Sequence, residues 1–309
     1  MATITASYSP KAMHQAARLK RRRKLLEGWL FIGPVVIGTL LFNVLPLFPT
    51  MYTSLTFWNG LSSPSWIGLE NYRFALTQDM NFMTSLRNTV VYAVGAVPGA
   101  IIAGLALALI VNERLPGMLF ARGLFFLPVV TSVVAVGMVW RWIFNWQYGL
   151  INATLEMMGI VGPRWLSDPT MAMVAVIIVA IWQQMGYNMV LFLAGLQGIP
   201  PSLEEAAMID GANAWRRFWH IKLPLLTPTI FFVLIISVIG SFQIFGLIYT
   251  MTGGGPGAAT YVYVYHMWFE GFQRSKFGYG AALAWMLFVV IAIITWFQWW
   301  MGKRWVFYQ

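Results

Sequence analysis

Long apolar runs separated by short polar segments make up most of the 309-residue chain. A helix needs about 20 apolar residues to cross the hydrocarbon core of a bilayer. Stretches of this kind occur at residues 29–47, 88–111, 123–143, 170–196, 228–251 and 279–301. Because backbone amides in lipid must be hydrogen-bonded within the protein, the pattern predicts an all-α membrane protein with six transmembrane helices. It divides the chain into a polar tail at residues 1–28 and a transmembrane domain at residues 29–309.

The basic residues predict how these spans are oriented. An even number of spans places both termini on the same side of the membrane. Most of the 20 lysines and arginines lie in the tail, after the second and fourth spans, or beyond the sixth span. Since basic residues concentrate on the cytoplasmic side, the tail and both chain termini are predicted to be cytoplasmic.

The composition argues against several other kinds of protein. Hydrophobic residues make up 59% of the chain and charged residues only 10%, which is far from the composition of a soluble domain. Cysteine is absent, and His14, His220 and His266 are far apart, so neither a disulfide nor a metal site is predicted. The net charge of +10 suits membrane lipids better than nucleic acid, because the basic residues flank apolar spans.

One polar segment separates the fourth span from the fifth: EEAAMIDGANAWRRFWHIKLP, residues 204–224. Each of its charged side chains would cost about 2.5 to 3.5 kcal/mol at the centre of a bilayer, so the segment is expected to lie in water. Ser202 followed three residues later by Glu205 has the spacing of a capping box. This spacing predicts a short helix that begins at Leu203.

The same segment predicts a turn and a second short helix. Ala206, Ala207 and Gly211 keep one side of the first helix small, which lets another backbone approach closely. Gly211 also permits a turn. Asn213 is predicted to cap the second helix, and Pro224 is predicted to end it.

Within this segment, Glu205-Ala206-Ala207, Gly211 and Ile221-Lys222-Leu223-Pro224 stand at a fixed spacing. The arrangement resembles the EAA motif of ABC importer permeases. The resemblance implies a type I ABC importer transmembrane domain, in which the loop at about 197–224 is a cytoplasmic coupling helix that sits in a groove of an ATPase subunit. The residues that it assigns to coupling are Glu204, Glu205, Ala206, Ala207, Asp210, Gly211, Ile221, Leu223 and Pro224.

Other phrases narrow the resemblance to the carbohydrate branch of these permeases. They are GLENYRFAL, ARGLFFLPVVTSVVAVGMVWRWIF, GLINATL and TGGGP. This branch implies a multi-pass protein of the bacterial inner membrane that works with a second homologous permease, an ATPase dimer and an extracytoplasmic sugar-binding protein. The chain has no glycine-rich loop followed by Lys-Ser or Lys-Thr to hold phosphates. We therefore expect ATP and Mg²⁺ on the ATPase subunit, no cofactor on this chain, and no enzymatic activity of its own.

Polar side chains inside spans mark a candidate substrate pathway, because they are costly in lipid unless they face a cavity or another helix. The fourth span carries Gln183, Gln184, Tyr187 and Asn188 on one helical face, and the fifth carries Ser237, Ser241 and Gln243. The resemblance implies that the sugar site of the branch draws on these two stretches. Alternatively, the same groups form hydrogen bonds to the second permease.

Two other functions stay open at this stage. A permease for another solute, such as glycerol phosphate, would need a charged site, and Arg141 is the basic residue nearest to a span interior. An ATP-independent transporter would show internal repeats or buried ionisable residues, and neither is evident. A neutral di- or oligosaccharide is therefore the favoured substrate.

Tyrosines alternate in the loop that follows the fifth span, at Tyr261, Tyr263 and Tyr265. This period of two predicts either a strand or, because Trp268 is close by, part of an aromatic belt at the membrane interface.

Overall fold

The computed structural model describes residues 10–113 and 115–307. The first nine residues of the predicted tail and Arg114 lie outside the described residues. The helices of the described residues are, in chain order, α1 (Pro10–Thr39), α2 (Leu47–Ser54), α3 (Glu70–Thr77), α4 (Met80–Val111), α5 (Met118–Val130), α6 (Val133–Ile143), α7 (Leu150–Met157), α8 (Pro169–Gln197), α9 (Pro201–Ile209), α10 (Ala214–Arg217), α11 (Leu223–Leu225), α12 (Thr227–Phe242), α13 (Gly246–Met251), α14 (Tyr263–Trp268) and α15 (Phe277–Gly302). Wider π-helical turns cover Leu40–Val44, Phe218–Lys222 and Phe269–Gln273, and the antiparallel strands β1 (Thr56–Phe57) and β2 (Ser65–Trp66) form a small hairpin.

Four helical segments are long and apolar enough to cross a membrane by themselves: Lys24–Ser54, Met80–Val111, Pro169–Gln197 and Phe277–Gly302. Two bent helix pairs meet the same criterion only when each pair is taken together. They are α5 with α6, and Ala214–Leu225 with α12. If each bent pair is one span, the described residues contain six spans, which confirms the predicted all-α membrane fold.

The third predicted span, 123–143, is not a straight helix. α5 and α6 are bent by 96° relative to each other, and Thr131 and Ser132 between them have non-helical backbone angles. Pro128 lies in the last turn of α5, where its missing N–H removes a helix hydrogen bond and weakens the turn.

The fifth predicted span, 228–251, is also interrupted. α12 ends at Phe242 and α13 begins at Gly246. Between them, Phe245 has φ −142° and ψ −56°, which is outside the helical region. The prediction of one continuous helix was wrong here, because an apolar run shows where a chain can span a membrane but not where its backbone unwinds.

The core of the fold is organised around α4 and α8, which pack side by side. Apolar side chains from both helices, such as Val176 and Phe192 of α8, fill two buried clusters along this contact. A Cβ atom added to Gly104 would lie 2.5 Å from Cβ of Asn188 and 3.1 Å from the backbone oxygen of Met185. Only glycine therefore allows the two backbones to approach this closely.

A buried polar cluster joins the start of α4 to α14 and α15. Asp79 caps α4 by accepting hydrogen bonds from two backbone N–H groups of the first turn, at 2.9 and 3.3 Å. Its Oδ2 atom accepts a hydrogen bond from the Tyr279 hydroxyl at 2.6 Å and lies 2.9 Å from Nε2 of His266. The other ring nitrogen of His266 lies 3.2 Å from the Tyr261 hydroxyl.

The cluster shifts the pKa values of its ionisable members. Burial lowers the pKa of His266 below its ordinary value of 6.5, and this effect exceeds the opposite effect of the Asp79 and Glu270 carboxylates. Burial alone would raise the pKa of Asp79, but the hydrogen bond from Tyr279, the neighbouring His266 and the two backbone amides together hold it below its ordinary value. At neutral pH the cluster therefore contains a neutral imidazole and a carboxylate.

The tyrosine-rich segment is not a strand but leads into a short helix. Tyr263 begins α14, and its side chain is 0% exposed. Its backbone N–H donates to Oγ1 of Thr89 at 2.9 Å, and its hydroxyl donates to the carbonyl of Leu283 at 2.9 Å. The strand prediction was wrong, because Tyr263 lies in a short helix and its contacts to α4 and α15, which are distant in sequence, bury it. The aromatic belt stays a prediction.

We expect the thermal stability of the purified protein to fall as the pH is lowered from about 7 to 5. The folded pKa of His266 lies below the value of 6.5 expected for the unfolded chain. The unfolded state therefore binds the proton first, so the stability is complete above about pH 6.5 and is lost as the pH falls through the folded pKa. His266→Gln should flatten this dependence, measured as the melting temperature in detergent between pH 5 and 7.5.

His220→Gln is the matched control, because His220 is an exposed histidine on the polar loop. This variant should keep the wild-type slope. An unchanged slope in His266→Gln would contradict the assignment of the pH dependence to the buried cluster.

Candidate functional site

Two adjoining cavities lie where α8 meets the interruption between α12 and α13. Their volumes are about 170 Å³ and about 290 Å³. Tyr92, Ala180, Gln184, Gly240 and Ile244 line both of them. We treat the two as one space and call it the central cavity.

Both broken spans reach the central cavity. Val129 and Val133 stand on either side of the bend between α5 and α6, and both line the larger part. Gln243 and Phe245 lie in the interruption between α12 and α13 and line the same part. Irregular backbone inside a membrane protein is tolerated where it borders a cavity, and both interruptions occupy such a position.

The structure brings all of the predicted pathway residues to this cavity. The smaller part is lined by Gln184, Tyr187, Asn188, Ser237 and Ser241, and the larger part by Gln183, Gln184 and Gln243. Residues from two predicted spans, separated in sequence by the polar loop, therefore meet around one space. Their role in transport stays a prediction.

The polar groups of the cavity retain capacity for hydrogen bonds. Asn188 is 1% exposed, and its amide nitrogen has no hydrogen-bond partner within the described residues. Ser241 donates its hydroxyl proton to the carbonyl of Val238 at 2.7 Å, which leaves the oxygen free to accept. Tyr187 is 40% exposed beside them. The cavity thus offers amide donors and hydroxyl acceptors to a bound molecule.

Sequence reasoning missed Tyr92, which projects from α4 and lines both parts of the cavity. It is 5% exposed. The sequence contains one indication of this residue, which is the single tyrosine of the apolar run 88–111. Because a tyrosine ring is largely apolar, its position fits an ordinary membrane span as well. Only the packing of α4 against α8 shows that Tyr92 faces the same space as Gln184.

The predicted coupling loop, residues 197–224 and called the coupling loop below, contains α9 as its first helix. The predicted capping box is not formed: α9 starts at Pro201, and Pro200 at its N-cap makes no side-chain cap hydrogen bond. Proline is favoured in the first turn because its φ is already helical and its missing N–H would have no partner there. Helix formation therefore begins before Leu203, and Ser202 lies inside the first turn.

The turn after α9 is formed as predicted. Gly211 has φ +79°, a left-handed conformation that side chains disfavour. The backbone N–H of Ala212 donates to the carbonyl of Ala207 at 2.8 Å, which closes the end of the helix. The Asn213 cap is confirmed as well, because its Oδ1 accepts the backbone N–H of Arg216 at 2.9 Å.

Pro224 does not end the second helix of the loop. The helical path runs from α10 through a π-helical turn into α11, and Pro224 lies inside α11. The path then bends by 64° into α12. An ion pair between Nζ of Lys222 and Oε2 of Glu204, at 3.1 Å, links this path to α9.

The coupling loop presents an exposed surface of mixed character. Ile209 is 87% exposed, Met208 50% and Trp215 67%. Glu205 and Asp210 are exposed beside them. Large apolar side chains on a segment expected to lie in water indicate a contact surface for a partner.

Comparison with known proteins places this arrangement in a family. The family model described as "Binding-protein-dependent transport system inner membrane component" matches residues 100–306. This range contains α5 to α15, the coupling loop and most of the central cavity.

Two relatives match almost the whole chain. The sn-glycerol-3-phosphate transport system permease protein UgpA of Agrobacterium fabrum is 37% identical over 273 residues, which cover 87% of this chain and 92% of the relative. The trehalose/maltose transport system permease protein MalF of Thermococcus litoralis is 35% identical over 283 residues, which cover 90% of this chain and 94% of the relative.

The fold is shared with a solved ABC transporter. A chain of the bacterial ABC transporter involved in the import of the acidic polysaccharide alginate superposes with a TM-score of 0.79 at 24% identity. The match covers 94% of this chain and 99% of that chain. The architecture is thus that of a type I importer transmembrane domain, and the chain belongs to the family of binding-protein-dependent transport system inner membrane components, the permeases of ABC importers.

Proposed function

We propose that this chain is the permease subunit through which an ATP-driven importer passes a carbohydrate, with a neutral di- or oligosaccharide as the favoured substrate. The observation that carries this proposal is the lining of the central cavity. Among the described residues that line it, none is an Asp, Glu, Lys or Arg. Its polar groups are amides and hydroxyls, which suit the hydroxyl groups of a neutral sugar.

The trehalose/maltose relative supports this substrate class, since its name refers to neutral disaccharides. The second candidate substrate is a phosphate ester, which the sn-glycerol-3-phosphate relative favours at similar identity. A phosphate would require a nearby cation. Arg141 lies in the last turn of α6 and lines neither part of the central cavity. The cavity chemistry therefore favours the neutral sugar.

The coupling loop is the proposed contact with the ATPase. Its exposed apolar side chains provide surface that the ATPase can bury, and the acidic residues of α9 provide charges that can make this contact specific. ATP and Mg²⁺ bind to that ATPase subunit, which works as a dimer, and this chain binds no cofactor. A second homologous permease and an extracytoplasmic sugar-binding protein complete the transporter.

The proposed topology places both termini and the coupling loop in the cytoplasm. In the most apolar part of Lys24–Ser54, no residue is buried by the rest of the described chain. Membrane lipids and the second permease are the proposed neighbours of this segment. The loops at 55–79, 144–168 and 252–276 then face the extracytoplasmic side, where the binding protein delivers the sugar.

Alanine at Gln184, Tyr187 or Ser241 is expected to reduce sugar uptake by about fivefold or more while the complex stays assembled. Each substitution removes a hydrogen-bond partner and leaves sugar hydroxyls unpaired, at a cost of about 1 to 3 kcal/mol. The measurement is uptake of radiolabelled maltose, trehalose, lactose and sucrose by proteoliposomes that contain the full transporter and its binding protein.

Gln298→Ala is the matched control, because Gln298 is a buried amide in α15 that lines neither part of the central cavity. It should leave uptake unchanged. Loss of the second permease from the purified Gln184→Ala, Tyr187→Ala and Ser241→Ala complexes would instead show that these groups hold the two permeases together. Uptake of glycerol phosphate in preference to every neutral sugar tested would overturn the proposed substrate class.

Gly211→Val is expected to weaken the ATPase contact while the subunit still inserts in the membrane. A β-branched side chain at φ +79° is strained by about 1 to 2 kcal/mol, so the turn between α9 and α10 should reorganise. Glu205→Lys should have a similar effect by reversing an exposed charge. The measurement is the amount of ATPase subunit that copurifies, together with transport.

Gly159→Val provides the control for the strain, since Gly159 has φ +76° in the loop at 144–168, on the side proposed to lie opposite the coupling loop, and a Cβ there meets nothing within 4 Å. Copurification of the ATPase should match the wild type. If Gly211→Val and Glu205→Lys also retain ATPase copurification and transport at wild-type levels, this loop is not the coupling element.

A further inference from the structure

Four aromatic side chains form a continuous surface next to the central cavity. They are Phe245, Tyr249, Tyr265 and Trp268, called here the aromatic patch. The ring centroid of Phe245 lies 5.4 Å from that of Tyr249, 6.2 Å from that of Tyr265 and 5.5 Å from that of Trp268. Trp268 in turn lies 5.2 Å from Tyr249 and 5.5 Å from Tyr265.

The patch is continuous with the cavity through one residue. Phe245 lines the larger part of the cavity, beside Gln183 and Gln243. Phe245 directly precedes α13, and its ring stacks on that of Tyr249 in this helix at an interplanar angle of 25°. Leu247 and Ile248, on the other face of the helix, are buried in the core. The patch therefore begins at the cavity wall and faces away from the packed interior.

Tyr249 is 50% exposed, and the other three rings are partly exposed. Neighbouring residues also restrict the movement of the patch. Tyr265 lies against the ring of Tyr261 at 5.3 Å, and a Cβ added to Gly254 would approach the rings of both tyrosines to 3.0 Å. A surface backed in this way loses little conformational freedom when a ligand binds to it.

The hydroxyl groups distinguish the patch from the tyrosines around it. Tyr261, Tyr263 and Tyr279 use their hydroxyls in contacts with His266, Leu283 and Asp79. Within the described residues, the hydroxyls of Tyr249 and Tyr265 have no hydrogen-bond partner. The patch thus combines flat apolar ring faces with two free hydroxyl groups.

This combination matches the chemistry of a pyranose ring. A sugar ring has faces of C–H groups, which pack on aromatic rings, and an edge of hydroxyl groups, which exchange hydrogen bonds with polar side chains. An apolar lipid chain or an apolar helix of a neighbouring subunit would leave the two tyrosine hydroxyls unpaired, which costs free energy.

We propose that the aromatic patch is a second sugar-contact site, on which one pyranose ring of the substrate stacks between the extracytoplasmic entrance and the central cavity. The proposal rests on the proposed function. It makes Tyr249 and Trp268 substrate-contacting residues, and the hydroxyls of Tyr249 and Tyr265 the groups that orient the sugar edge.

The test uses the complete transporter with its binding protein in proteoliposomes. Uptake per ATP hydrolysed is measured for the disaccharide that the wild type imports fastest among maltose, trehalose, lactose and sucrose. Tyr249→Leu and Trp268→Leu keep apolar volume but remove the ring, and each should lower this ratio about five- to tenfold. Tyr249→Phe keeps the ring and should lower it about twofold or less.

Tyr148→Leu is the control, since Tyr148 is a 64% exposed aromatic residue in another loop, outside the patch. Its ratio should equal that of the wild type. A wild-type ratio in Tyr249→Leu and Trp268→Leu would overturn the proposal, and so would loss of the second permease from both leucine variants, which would identify the patch as a subunit interface.

Gln184→Ala separates this inference from the proposed function. If Gln184→Ala lowers uptake but both leucine variants behave as the wild type, only the patch assignment fails. If the wild type imports none of the neutral disaccharides, the proposed function fails and the sugar-contact site fails with it.

Discussion

A helix in lipid can be broken only where the freed backbone groups find other partners or border a cavity, and the architecture of this chain depends on that constraint. The bend between α5 and α6 and the interruption between α12 and α13 both lie at the central cavity. Straight helices at these two places would fill the space with side chains. The polar groups of α8 would then face apolar neighbours, at a free-energy cost.

The pair α4 and α8 supplies the rigid part against which the broken helices are arranged. Gly104 brings the two backbones together at Asn188, so the polar face of α8 has a defined position relative to Tyr92. The Asp79 cluster ties the beginning of α4 to α14 and α15. Irregular segments next to the cavity are thus held between elements that are themselves closely packed.

One helical path connects the coupling loop with the cavity. It runs from α10 through α11, bends at Leu226, which is 0% exposed, and continues as α12 to Ser237 and Ser241. A movement imposed on the loop by a partner would therefore reach the cavity through the backbone of a single segment. The ion pair of Lys222 with Glu204 joins α9 to the same path, although such a partly exposed pair contributes only modestly to stability.

The sequence by itself determined the all-α membrane fold, the positions of the apolar spans, the turn at Gly211 and the Asn213 cap, because these depend on local composition and spacing. It also identified the polar residues of α8 and α12, since polar groups in apolar runs are rare. Only the tertiary structure decided where the spans break, that Tyr92 and Phe245 border the same space, and that Tyr263 is buried. These outcomes depend on contacts between residues far apart in the chain, such as Tyr263 with Thr89, and no local pattern of hydrophobic and polar positions encodes them.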